Sequence, residues 1–208
     1  MEYRFYGNES ANVAAANERY RKISDPKALY DLLSEIWCAE TCAPRMRDRW
    51  SAENKTLGQC SITAFLAQDI FGGKVYGILR PNGNYHCYNV VEDCVFDLTS
   101  EQFSGEKLSY ENNPEQFRDV HFSKEEKRLR YEYLKTELEK RIADEYTVLK
   151  IYEDDYGCEG IPDDSELMCS VLVRSTDGKE KWGKIADKWL AENNVRNGFL
   201  RQHRTKHV

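Results

Sequence analysis

The chain has 208 residues, a formal net charge of −6, 40% apolar and 32% charged residues, the profile of a globular protein long enough to bury a core. The acidic balance excludes an extended nucleic-acid surface, and no 18-residue apolar run offers itself as a membrane span. The start Met1-Glu2-Tyr3-Arg4 lacks the basic and apolar parts of a signal peptide, so the expected location is the cytoplasm, with the seven cysteines, odd in number, reduced.

The first twenty residues are polar and rich in Asn and Ala, without an apolar period. Asp25 as N-cap and Pro26 at the first helical position then announce a helix with Leu29, Leu32, Leu33 and Ile36 on one face. Residues 38 to 55 read as an irregular loop flanked by Trp37 and Trp50. Gly58 breaks the chain, and a second helix is predicted from Cys60 to Phe71, with Ile62, Phe65, Leu66 and Ile70 as its stripe and Gly72-Gly73 as its stop. Three strands follow: residues 74 to 79, the turn Pro81-Asn82-Gly83, the strand Tyr85 to Val91, and a last short strand around Val95 to Leu98.

Beyond Leu108 the chain turns polar until Ser123-Lys-Glu-Glu126, a capping-box pattern. It predicts a charged helix to about Ala143, with Leu129, Tyr133, Leu134, Leu138 and Ile142 as a narrow stripe and a spacer role. From Thr147 the pattern changes to short strands, 148 to 152 and 168 to 173, a turn at Thr176-Asp177-Gly178 and a short helix over 185 to 190. Cys158 sits in the acidic run Asp154 to Gly160, where neighbouring carboxylates make it a poor nucleophile. The same run lacks the spacing of a calcium loop, and the basic tail Arg201 to His207 reads as a solvated terminus. Cys38 and Cys42 lack a second pair at zinc-site spacing, so no metal and no cofactor is expected.

The chemistry concentrates in residues 54 to 103. A thiol has an ordinary pKa of about 8.5 and is mostly protonated at neutral pH. Cys60 opens a helix, where free N–H groups and a partial positive charge of roughly half a unit favour the thiolate. His86 on the following strand pair is the candidate general base, and Asp97 the group that orients it. If Glu92-Asp93 is a two-residue turn, Val91 pairs with Cys94, and His86, Tyr88 and Asp97 share one face; a three-residue turn would move Asp97 to the other. The Cys60 N–H is a candidate oxyanion donor, and the second donor is Gln59 or Gln102. Cys87 is expected to point away from His86. Taken singly, each residue has a plain structural reading: a buried thiol, a half-core histidine, a turn-capping aspartate.

The runs Asn54-Lys-Thr-Leu-Gly-Gln-Cys60-Ser-Ile-Thr-Ala64, His86-Cys-Tyr-Asn-Val-Val91 and Asp97-Leu-Thr-Ser-Glu-Gln-Phe103 resemble the bacterial YunG-like proteins. More distantly, residues 25 to 120 are similar to the papain-like and transglutaminase-like superfamily. That resemblance implies an α+β fold with a nucleophile helix on a small antiparallel sheet, and it maps the nucleophile, base and carboxylate onto Cys60, His86 and Asp97. It also implies a helper role for Gln102; Gln59 stands where transglutaminases often carry an aromatic. The expected organisation is a cysteine hydrolase-like domain over 1–120, a linking helix over 121–146, and a small β-rich module over 147–208, which resembles an uncharacterised bacterial module. The expected activity is hydrolysis of, or acyl transfer from, a peptide or protein amide, in monomer or oligomer. The competing readings are an inactive binding protein that keeps the fold, and a redox sensor pairing Cys60 with Cys87 or Cys94.

Overall fold

The computed structural model describes residues 3–144, 146–153, 166–176, 178–193 and 195. It is a mixed α+β structure with two three-stranded antiparallel sheets, and the chain divides into two units, residues 1–142 and 143–208.

The first unit is built around a helix that is apolar on more than one side. Helix α2, Cys60–Phe71, buries nine of its twelve residues, more than the four-residue stripe read from its period. Small residues make this workable: Ser61, Thr63, Ala64 and Ala67 let neighbours approach closely. Trp37 donates its indole N–H to Thr63 Oγ1 at 3.1 Å, and Asn89 donates to the Ala64 carbonyl at 2.8 Å. Helix α1, Pro26–Ser34, starts as its sequence dictates, with the Asp25 carboxylate accepting from the Ala28 N–H at 2.9 Å.

The sheet is a meander of β1 Lys74–Leu79, β2 Tyr85–Val91 and β3 Cys94–Phe96. Val91 pairs with Cys94 and Asn89 with Phe96, so the β2–β3 loop has two residues, and Glu92 takes the left-handed conformation that such a turn needs, φ 51°. β3 ends one residue before Asp97, which is held by a bridge to Tyr6. On the open side of β1, the Gly77 N–H donates to Pro114 and the Gln116 N–H to Val75, which blunts that edge. Buried Phe5, Ile23, Leu29, Leu33, Ile62, Phe65, Leu66, Val75 and Phe96 form one core with Leu134 and Leu138.

Those last two residues come from α4, Glu125–Ile142, and they correct the expectation of a linking helix over 121–146. A spacer would be solvated on all sides, whereas Tyr131, Leu134 and Leu138 lie in the core of the first unit. The buried stripe is also displaced from the one predicted: Leu129 and Tyr133 are exposed, while Tyr131 and Arg130 are buried. Arg130 is accommodated because its guanidinium donates to the carbonyls of Thr41 and Gly58 and pairs with Glu126 at 3.0 Å. The capping box does not form. Ser123 instead ends the short helix α3, Arg118–Phe122, and its hydroxyl donates to the Val120 carbonyl.

In the second unit, β4 Tyr146–Glu153, β5 Met168–Ser175 and β6 Glu180–Ala186 form a meander followed by α5, Asp187–Glu192. Val148, Cys169, Val171, Val173, Leu190 and Val195 are its core. The third strand was not expected, because most of β6 is exposed and polar and lacks an apolar alternation; it takes the place of the first residues of the helix predicted over 185 to 190. The acidic run around Cys158 and the basic tail lie outside the described residues. No helix among the described residues is long and apolar enough to cross a membrane.

Candidate active site

The approach to Cys60 is fixed by a glycine. Gly58 has φ +71°, and a Cβ there would lie 2.7 Å from Cys42 Sγ and 2.9 Å from the Ala43 nitrogen, so a side chain would displace the segment. The Gly58 carbonyl accepts from Ala43 N and from Arg130 Nη2, and its N–H faces Gln102 Oε1 at 3.4 Å. The following residue, Gln59, is the N-cap of α2 but provides no side-chain cap. The first-turn N–H groups of α2, including that of Cys60, therefore meet no side-chain acceptor from the cap and remain suited to an anion.

His86 is buried on β2, and its Nε2 lies 2.5 Å from Asp97 Oδ2. Asp97 is itself fixed: Oδ1 accepts from the Thr99 N–H and hydroxyl, and Oδ2 also accepts from the Tyr110 hydroxyl at 3.0 Å. Tyr110 stacks on Tyr6 with ring centroids 3.8 Å apart, and Phe103 sets its ring edge-on to the imidazole at 4.6 Å. With Nε2 taken, the ring nitrogen left is Nδ1, which is buried without an oxygen or nitrogen partner. Cys60 lines the same cavity as His86 and is among the groups that raise its pKa.

The electrostatics follow from these contacts. Cys60 is held well below the ordinary thiol range: the Cys87 thiol hydrogen-bonds the sulfur, burial opposes ionisation, and His86 adds a hydrogen bond and its charge. Cys87 moves the other way, raised by keeping the proton it shares with Cys60 and by burial. For His86, burial disfavours the charged ring, but the charge and hydrogen bond of Asp97, aided by Cys60, outweigh it and raise the group to about 10. These shifts favour a thiolate at Cys60 together with an imidazolium at His86.

Cys60 and His86 open into a cavity of about 490 Å³ whose walls include Gly58, Gln102, Phe103, His121 and Lys127, a size in the range of small-ligand sites. A larger hollow of about 1390 Å³, bordered by Arg4, Tyr6, Glu101 and Tyr110 among others, contains none of the three residues. The smaller cavity is the candidate site, because chemistry needs a reactive atom in the wall.

All three residues predicted from sequence converge. The two glutamines do not behave alike. Gln59 is fully buried, donates Nε2 to the Cys38 carbonyl at 3.2 Å, and does not line the cavity. Gln102 does line it, although one of its amide hydrogens is given to the Thr99 carbonyl at 2.8 Å. Cys87 is buried beside His86 on β2 and is the first cause of the low Cys60 pKa. Thr99 had a legible signal, the Asp-x-Thr pattern of a local side-chain turn. Tyr110, His121 and Lys127 had none, since each arrives from a segment distant in sequence. All six described cysteines are free thiols, and no group of three or more His, Cys, Asp or Glu residues among the described ones forms a metal site.

Comparison with known proteins matches residues 25–143 to the family described as YunG protein. A Bacillus subtilis (strain 168) protein named Uncharacterized protein YunG is 32% identical over 83 residues, which is 40% of this chain and 66% of that relative's length, just under two thirds. No solved structure matches.

Proposed function

The chain belongs to the YunG family, and on that premise we propose that it is a thiol-dependent amide hydrolase or acyltransferase working by a Cys-His-Asp triad, distantly akin to papain-like and transglutaminase-like enzymes and acting in the cytoplasm. The observation that carries this reading is that a buried His86, its Nε2 committed to Asp97, lines the same cavity as Cys60 at the start of α2. A core histidine with only a structural role has no need of a helix-start thiol in the same cavity.

In the reaction, the Cys60 thiolate attacks the amide carbonyl carbon, a C–S bond forms, and the carbonyl π pair moves to oxygen. That oxyanion lies at the start of α2, where the Cys60 N–H donates to it. Collapse restores the carbonyl and breaks the C–N bond, and the leaving amine takes the proton from His86. Water, or a second amine, then gives a proton to His86 as it attacks the thioester, which releases the acyl product and returns the thiolate. Asp97 keeps the ring oriented through both halves. The second oxyanion donor is best sought at Gln102, which lines the cavity and gives only one of its amide hydrogens to the Thr99 carbonyl.

The test is reactivity. At about pH 6, iodoacetamide followed by peptide mass analysis is expected to label Cys60 before any other cysteine, and p-nitrophenyl acetate is expected to give one equivalent of burst product that His86→Gln and Cys60→Ala both abolish. Equal labelling of Cys60 and Cys94, with no burst, would reject the enzyme in favour of a binding protein.

A further inference from the structure

The cavity beside Cys60 is cationic in a chain that is acidic overall. Five lining residues are Lys or Arg, and no Asp or Glu lines it, against a net charge of −6. Two of the five are already neutralised: Arg80 lies 2.7 Å from Glu106, and Arg130 pairs with Glu126. The other three, Arg45, Lys124 and Lys127, have no carboxylate within ion-pair distance among the described residues.

Lys127 is the most informative of them. It is half-buried, and its ammonium donates to Nδ1 of His121 at 3.1 Å, with Nε2 of His121 opposite Gln116 Oε1 at 3.1 Å. A cation withdrawn from water normally finds an anion; here the hydrogen-bond partner is the His121 ring, burial lowers the Lys127 pKa, and the charges of Cys87 and Cys60 partly offset that. The start of α4 sorts its charges in the same sense. Lys124 and Lys127 face the cavity, whereas the acids Glu125 and Glu126, which the helix dipole favours there, do not line it.

Resting on the catalytic reading of Cys60, we propose that this cavity selects amides that carry negative charge: a peptide segment or small molecule with carboxylates flanking the scissile bond, which Arg45, Lys124 and Lys127 receive while Cys60 attacks. Acidic flanks would give Arg45, Lys124 and Lys127 the carboxylates they lack, and neutral or basic flanks would not.

Two outcomes separate this inference from the reading beneath it. Alkylation of Cys60 in the full chain is timed with iodoacetamide and with iodoacetate, which differ chiefly in charge. The iodoacetate-to-iodoacetamide rate ratio is expected to fall about tenfold in Arg45→Gln/Lys124→Gln and again in high salt. A ratio indifferent to both changes overturns the proposal, even if Cys60 is reactive. If Cys60 labels no faster than Cys94 with either reagent, the nucleophile fails, and selectivity is then read by calorimetry in Cys60→Ser. N-acetyl-Glu-Gln-Glu-amide should bind at least tenfold more tightly than N-acetyl-Gln-Gln-Gln-amide, and equal affinities overturn the proposal.

Discussion

His86 and His121 line the same cavity and are pushed in opposite directions. His86 has the Asp97 carboxylate at Nε2, and the charge and hydrogen bond of Asp97, aided by Cys60, outweigh burial and raise it to about 10. His121 is lowered to about 4 by burial and by the Lys127 charge beside it, so at neutral pH it is an uncharged acceptor. Both rings are largely removed from water, so burial alone does not separate them; their partners do. One side of the cavity thus favours a protonated imidazole, and the other keeps its imidazole neutral beside a lysine whose own pKa burial lowers.

The largest break in this contrast comes from Asp97→Asn, which removes the leading cause of the His86 charge. At about pH 6 an ordinary thiol is only ~0.3% ionised, which sets a ceiling of roughly 300-fold on the loss of Cys60 alkylation rate. A fall of about a hundredfold is expected, read by mass analysis with the circular-dichroism spectrum unchanged.

A smaller effect lies in the pH dependence of stability. His86 binds a proton in the folded state that an unfolded histidine loses above about 6.5, whereas Cys60 gives up a proton that an unfolded cysteine keeps below about 8.5. Between those values folding moves a proton from one to the other, and the stability of the natural protein should be flat. Above about 8.5 both His86 and Cys87, each raised in the folded state, hold protons that the unfolded chain has lost, so stability falls as the pH rises. In Cys60→Ser the compensation is gone. Stability should then decline from about pH 6.5 upward with a slope approaching 1.4 kcal/mol per pH unit, measured by urea unfolding at a series of pH values. A flat profile in that variant would mean that Asp97 does not hold the charge on His86.

The smallest expected change is Lys127→Met. Burial is the first cause of the low His121 value and Lys127 the second, so the ring should move up by less than one unit while His86 stays charged. Imidazole resonances followed by NMR through an acid titration measure both. If His86 moved instead, the two walls would be coupled.

Much of the site was legible because its residues are close in sequence. Cys60 needs only a helix start, and the Gly58-Gln59-Cys60 break supplies it. His86 and Asp97 need only the register of one hairpin, which the two-residue turn at Glu92-Asp93 sets. Local patterns also placed α1, α2 and the three strands of the first sheet. The capping box at Ser123 misled, because a hydroxyl that ends α3 is not free to start α4. The stripe of α4 was displaced because a periodic pattern does not reveal which neighbours cover it: Arg130 is buried by carbonyls of Thr41 and Gly58, far away in the chain. β6 was missed because pairing with β5, and not an apolar alternation of its own, makes it a strand.

The family match ends at residue 143, next to the boundary between the two units, and every described residue of the site lies before it. The sequence alone determined that Cys60 opens a helix and that His86 and Asp97 meet across one hairpin, since helix starts and hairpin registers are short-range consequences of backbone geometry. Tertiary structure alone decided the surroundings of His121, the opposite pKa shifts of Cys60 and Cys87, and the cluster of Lys and Arg side chains that lines the cavity with Cys60. Those features depend on burial and on groups brought together from distant segments, and Coulomb energies follow distance in space.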